Sequence, residues 1–367
     1  MKHFQHYLLL IVISFVTLTI DAQEQDQQWL QQRTRVQSNP NYPTPWWNEI
    51  SNKPDSWYQS EEALTMADNI LSWQHEFGGW PLMNTTREKF TGDVSRAGPW
   101  GVRGALVKAT YNEIRFLARA YRFTNNEQYK SSALKGLHFI LDAQYPTGGW
   151  PKSYPHSTNS YSRYATFNDD LMADAITLLR DVVSSPDFNW LAQSDHQRVQ
   201  TAIDKGIDFI LKSQIKVNGK LTAWAQQYDE VTLEPKAARA FEPIAISAGE
   251  SATVLSMLMS IDEPAPEVVK AIEAAVQWYR DVQIDGYELI VTKEDRVLAE
   301  NKNAPPLWAR FYEIGTNKPI FAGRDGVIKY SMAEIEQERR SGYAWYNYNG
   351  GKVFKNYQQW KLLRDLE

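Results

Sequence analysis

Four glutamines, Gln74, Gln144, Gln214 and Gln283, stand 70, 70 and 69 residues apart. Each closes an apolar run, as in Ile70-Leu71-Ser72-Trp73-Gln74 and Ile140-Leu141-Asp142-Ala143-Gln144, and each precedes a glycine-bearing turn. Such a period accommodates one helical hairpin, two helices of roughly 15–20 residues plus their connections. Hairpins that each bury one face must stack on one another. The spacing therefore predicts a mainly α chain of stacked hairpins, for which a closed toroid and an open solenoid are both admissible.

The N-terminus has a different character. Lys2 precedes an apolar stretch from Leu8 to Ile20, too short to span a bilayer, and Asp21-Ala22-Gln23 offers a small residue for cleavage. Residues 1–22 read as a signal peptide and residues 23–45, polar and ending in Pro-Asn-Tyr-Pro-Thr-Pro, as a linker or extended arm. Residues 46–367 are then the folded domain. The expectation is a secreted or periplasmic protein with no membrane association. The chain has no cysteine, which removes disulfides, thiolate metal sites and thiol nucleophiles. A net charge of −5 argues against nucleic acid as a partner. Fourteen Trp and nineteen Tyr serve either packing or sugar stacking, and composition does not choose between them.

Helical patterns begin at Ser60-Glu61-Glu62, a capping residue with an acidic first turn. They continue through Tyr111–Tyr121, Glu127–Gln144, Asp169–Val183, Gln197–Gln214, Ser247–Ser260 and Pro266–Asp281, the last opening on a proline that an early helical position tolerates. Tyr287–Val297 alternates like a short strand pair, Asn301–Tyr330 reads as a long loop, and Ser331–Arg340 as a last helix. Trp80 and Trp150 occupy equivalent repeat positions, which favours packing for both. The histidines show no metal-ligand spacing.

Four segments carry candidate chemistry. They are Gly148-Gly149-Trp150-Pro151-Lys152 with Phe167-Asn168-Asp169-Asp170; Lys236-Ala237-Ala238-Arg239-Ala240-Phe241-Glu242; Leu307-Trp308-Ala309-Arg310-Phe311-Tyr312; and Gly323-Arg324-Asp325-Gly326. In these segments and their order the chain resembles the family 10 pectate lyases, from about Glu62 to Leu363. The resemblance implies an (α/α) toroid whose long loops form a substrate cleft. It also implies calcium-assisted β-elimination on polygalacturonate (pectate, pectin), with no protein partner. By motif, Arg239 would be the general base, and Arg310 and Arg324 would grip substrate carboxylates; Lys152 and Arg103 are further candidate substrate contacts, read from their charge and position rather than from the family motif. Asp169 and Asp170 would belong to the calcium-binding acidic pair. Arginine suits the grip because its planar fork matches a carboxylate; as a base it is demanding, because it stays protonated to very high pH.

Simpler readings stand beside these. Asn168-Asp169-Asp170 also reads as a helix cap with acidic residues on the positive dipole end. Arg239 also reads as a solvated surface charge, Lys152 as a snorkelling lysine, and Arg310 and Arg324 as partners of Glu313 and Asp325.

The chain departs from the family pattern in one place. The pattern carries a calcium-site aspartate just before the helix at Ala109-Thr110-Tyr111, and this sequence has Leu106 there, with Arg103 and Lys108 nearby. Loss of a carboxylate weakens a calcium site. Three outcomes are open: Asp93 substitutes, Arg103 or Lys108 replaces the metal as the neutralising cation, or the protein binds acidic glycan without cleaving it.

Overall fold

The computed structural model describes residues 46–81, 85–92, 105–155 and 161–365. The expected signal peptide, the linker, Arg103 and Asp93 lie outside the described residues. The chain divides into Met1–Ser51 and Asn52–Glu367. The described part of the first unit is a single short helix, α1 (Trp46–Ile50). The second unit carries the rest of the fold.

There the helices run α2 (Glu61–Trp73), α3 (Val107–Thr124), α4 (Glu127–Asp142), α5 (Leu171–Ser184), α6 (Gln193–Ser213), α7 (Ala248–Leu258), α8 (Pro266–Asp281), α9 (Gln337–Gly342) and α10 (Asn349–Asp365). Helices α3 and α4, α5 and α6, and α7 and α8 pack as hairpins. Helices α3, α5 and α7 neighbour one another in one layer, followed by α10. Helices α2, α4, α6 and α8 do so in a second layer. This is the α/α toroid arrangement.

The glutamine period has a physical cause. Gln74 Nε2 donates to the carbonyls of Gly78 and Ser132 at 2.7 and 2.9 Å. Gln144 does the same to Gly148 and Ala202, both at 2.9 Å, and Gln214 to Thr222 and Ala271 at 2.8 and 3.0 Å. One amide thus closes its own turn and ties it to the next helix of the second layer, satisfying carbonyls that burial would otherwise leave unpaired. Gln283 departs from the series and bonds Asp285.

A tryptophan follows in each unit. Trp80, Trp150, Trp224 and Trp308 are buried, and their indoles donate to the carbonyls of Ile70, Ile140, Ile210 and Tyr279. Trp80 and Trp150 pack, as the repeat equivalence predicted. Gly148 shows how close the turns approach: its φ is +102°, and a Cβ there would stand 2.0 Å from the Lys205 carbonyl oxygen.

Two expectations are corrected. Asn301–Tyr330 is not plain loop. It holds β10 (Trp308–Ala309), β11 (Phe311–Tyr312), β12 (Pro319–Ala322) and β13 (Ile328–Lys329). Strands β11 to β13 form a four-stranded antiparallel sheet with β7 (Ile246–Ser247), in the order β13-β12-β11-β7, and β10 pairs with β14 (Tyr346–Asn347). The predicted last helix splits into a 3-10 turn, Met332–Glu334, and α9, and α10 follows. The expected hairpin is present as β8 (Tyr287–Val291) and β9 (Arg296–Glu300).

Candidate active site

Each of the three motif arginines is fixed through its own main chain, in a different part of the chain. Arg310 lies between β10 and β11. Its amide donates to the Trp345 carbonyl at 2.6 Å, and its carbonyl accepts from Ala248 at the start of α7 at 3.0 Å. Arg239 sits in a turn closed by Ala238 N–H to Glu242 O and Glu242 N–H to Arg239 O, at 3.1 and 2.8 Å. Arg324 follows β12, with its amide donating to Glu336 Oε1 at 3.2 Å. Gly323 is needed beside it, because a Cβ there would meet Glu336 Oε2 at 2.0 Å.

The side chains converge on two aromatic rings. Phe241 and Tyr343 meet edge-on, 5.2 Å between centroids. The Arg239 guanidinium lies 4.7 Å from the Phe241 ring and 5.8 Å from Tyr343. Arg310 is 4.7 Å from Tyr343, and Arg324 is 5.9 Å from Phe241. Arg339 also covers Phe241, at 4.6 Å. The rings are attractive surfaces for cations and hold like charges close together.

Carboxylates hold the array in place. Arg310 pairs with buried Glu250 of α7 at 2.6 Å, and Arg324 with Glu338 of α9 at 2.9 Å. Neither uses the sequence neighbours, Glu313 and Asp325, that the simpler reading offered. Arg239 binds Glu242 through both ends of its fork, with Nε at 2.8 Å from Oε2 and a second, shorter contact from Nη2 to Oε1. Glu242 is only 2 % exposed. Burial alone would raise its pKa, but the hydrogen bond and charge of Arg239, with the Tyr343 hydroxyl donating at 2.8 Å, hold it below the usual range. Reciprocally, the Glu242 hydrogen bond holds the Arg239 pKa above the ordinary arginine value. For Arg310 burial opposes the charge, yet Glu250 and the other anionic groups around it leave its pKa raised.

A second cluster adjoins the first. Lys152 Nζ lies 3.4 Å from Asp169 Oδ2, and Asp169 is within electrostatic reach of Arg310. Asp170 accepts a hydrogen bond from Thr253 of α7 at 2.7 Å. Asp169 and Asp170 both adopt left-handed backbone, φ 56° and 64°. Asp170, at the cap position of α5, makes no side-chain cap bond. The side-chain cap bond of the simpler reading is thus missing at Asp170, although both acids do stand at the N-terminal end of α5. Two successive non-glycine residues at positive φ are costly, and such strain is characteristic of positions where side chains are aimed for a task.

The expected place of the missing aspartate is visible in the backbone. Strand β1 (Ala105–Leu106) pairs antiparallel with β2 (Ser153–Tyr154), and Leu106 is opposite Ser153, the residue after Lys152. The acidic donors that the resemblance assigns there are Asp169, paired with Lys152, and Asp170, which accepts from Thr253. No group of three or more His, Cys, Asp or Glu fit to hold a metal occurs among the described residues. Calcium takes six to eight oxygens, more than the carboxylates of Asp169 and Asp170 alone supply.

The sequence reading brought Arg239, Arg310, Arg324, Lys152 and Asp169 to one region but missed their supports. Glu250, Glu338, Arg339 and Tyr343 come from distant segments with no local signal. Glu242 alone was accessible to pattern, three residues after Arg239.

The family model of pectic acid lyase matches residues 62–354. A mutant of the family 10 polysaccharide lyase from Cellvibrio cellulosa, in complex with trigalacturonic acid, is 32% identical. It matches over 87% of this chain and 99% of its own, with a TM-score of 0.72. A second structure, the family 10 polysaccharide lyase from Cellvibrio cellulosa, is also 32% identical, over 87% of this chain and 98% of its own, with a TM-score of 0.71. No curated protein matches the chain.

Proposed function

Because the chain belongs to the pectic acid lyase family, we propose that it cleaves polygalacturonate by β-elimination, leaving unsaturated oligogalacturonates. The observation that carries this reading is the set of motif guanidiniums gathered around Phe241 and Tyr343. The trigalacturonic acid in the Cellvibrio complex supports a uronate substrate.

The chemistry follows from charge. A galacturonate C5 proton is adjacent to a carboxylate. Its removal places negative charge on that carboxylate, and fixed cations aimed there lower the barrier. The C5–H bond breaks, its proton passes to the base and its electrons form C4=C5; the C4–O bond breaks in turn, and its oxygen, still bonded to C1 of the neighbouring sugar, leaves with the electron pair and takes a proton from water. Arg310, with its backbone clamped on both sides, and Arg324 hold substrate carboxylates by their planar forks. Arg239 is the base. Its pair with Glu242 opposes deprotonation, so the reaction is favoured by alkaline pH and by displacement of Glu242 when substrate enters. The apolar stretch before Ala22 supports export, to the periplasm or the medium.

The test is ultraviolet absorbance of unsaturated uronate ends when folded protein meets polygalacturonate at alkaline pH, with and without calcium. Growth of that absorbance is the expected result, and its absence under every condition overturns the proposal. One observation favours a second reading, a binder of uronate polysaccharide without turnover: Glu242 holds Arg239 more firmly protonated than a free arginine. That reading is supported by calorimetric affinity for polygalacturonate without product.

A further inference from the structure

We infer that Arg339 is a positioning residue for substrate binding: it holds Glu338 while Arg324 turns from that carboxylate to a carboxylate of the polymer. The inference rests on the uronate substrate proposed above and deepens it, naming the residue that frees one of the three guanidiniums to exchange partners. It starts from one shared carboxylate. Glu338 Oε2 accepts from Arg339 Nε at 2.7 Å and from Arg324 Nε at 3.2 Å. Its Oε1 accepts from Nη2 of both arginines, at 2.9 Å from Arg324 and closer from Arg339. A carboxylate has about four lone-pair sites, so two arginine forks fill Glu338 completely.

The two arginines differ in surroundings. The Arg339 side chain is 9% exposed and that of Arg324 62%. Arg339 lies 4.6 Å from the Phe241 ring, Arg324 5.9 Å. A buried guanidinium stripped of its carboxylate is an unpaired charge away from water, which is costly, whereas an exposed ion pair contributes little and opens easily. Glu338 therefore stays with Arg339, and Arg324 is the partner that leaves. The Arg324 amide remains on Glu336, so the main chain keeps its place as the side chain swings. Hydrogen bonds from Arg339 first and Arg324 second hold the Glu338 pKa down to about 2. The carboxylate thus stays charged and needs a cation whichever way Arg324 points. The other two pairs lack this arrangement. Opening the Arg239 pair leaves buried Glu242 with the Tyr343 hydroxyl, and opening the Arg310 pair leaves buried Glu250 with the Ser247 hydroxyl. Of these three carboxylates, Glu338 is the one bonded to a second guanidinium.

The experiment compares the purified protein with Arg339→Met, Arg339→Lys, Glu338→Gln and the double variant Arg339→Met/Glu338→Gln, each checked for folding by circular dichroism. Trigalacturonic acid is titrated into each by calorimetry. In Arg339→Met the carboxylate has Arg324 alone and detains it, so affinity should fall at least about tenfold. Arg339→Lys should recover part of the loss. In the double variant no charge detains Arg324, so affinity should return to within about threefold of wild type. An arginine that served only to pack on Phe241 would give no such rescue. Glu338→Gln alone should bind at least as tightly as wild type, a test that stands whether or not Arg339→Met folds. Arg339→Met at wild-type affinity overturns the inference, as does a folded double variant as weak as Arg339→Met, or a Glu338→Gln variant that is weakened about tenfold. Each of these leaves the lyase reading in place while the wild type binds trigalacturonic acid and yields product. A wild type that gives neither heat nor product overturns the uronate reading, and the role of Arg339 falls with it.

Discussion

Arg239 and Arg310 face the same phenol: the Tyr343 ring lies 5.8 Å from one guanidinium and 4.7 Å from the other. Its hydroxyl donates to Glu242, which in turn grips Arg239. One side chain thus sets the spacing of two cations and orients the counter-ion of one. Tyr343→Phe keeps the ring and loses the hydrogen bond, so it should cost about 1 kcal/mol of stability and little activity. Tyr343→Ala removes the shared surface and should lower kcat/KM at least about tenfold. Steady-state kinetics with chemical denaturation of both variants separates the two effects.

Glu242 offers a direct test of Arg239 as base. Because the carboxylate raises the Arg239 pKa, Glu242→Gln should lower it. The alkaline rise of the pH–rate profile should then move to lower pH. Arg239 is 46% exposed on its side chain, so water can solvate the charge once the partner is neutral. An unshifted profile would show that Arg239 does not carry the rate-limiting proton. Arg239→Ala should lower kcat by a factor of about 100 or more.

Glu113 predicts a pH dependence of stability that is separate from catalysis. It is buried in α3, accepts a hydrogen bond from Thr85 at 2.8 Å, and its pKa is pushed up to about 8 by burial. A folded-state pKa above the unfolded one means stability is fully present below about pH 4.3, the unfolded carboxylate range. It is then lost progressively as pH rises toward 8. Glu113→Gln should match the wild type in melting temperature near pH 4 and exceed it by at least about 2 °C above pH 8.

The turn geometry gives a fourth expectation. Gly148→Ala would force a Cβ against the Lys205 carbonyl at positive φ. Gln144→Leu would strip donors from two carbonyls. Each should cost about 2 kcal/mol or more, read from denaturant midpoints.

The helical layers were legible because their signals are local. Ser60 caps α2 through Ala63, Pro266 opens α8, and the glutamine period records the stacking contact itself. The strands after Asn301 escaped because β10, β11 and β13 are two residues long, too short for alternation to show. Helix α10 escaped because Asn349-Gly350-Gly351-Lys352 and the polar run after it present no apolar stripe. In the site, the arginines were readable from their motifs, whereas their partners were not. Glu250 lies 60 residues from Arg310, and Tyr343 lies 101 from Glu242, distances only folding closes. The left-handed pair Asp169-Asp170 had no signature either, since the same letters describe an ordinary cap.

The amide stitches give the array a polarity. Each of Gln74, Gln144 and Gln214 reaches forward to a backbone carbonyl 57 or 58 residues later, so every module is fastened by its predecessor. Gln283 instead turns to Asp285, and its forward reach goes unused. An additional hairpin spliced in after Gln283 would find a ready attachment point, whereas one inserted earlier would have to break a fastening already made.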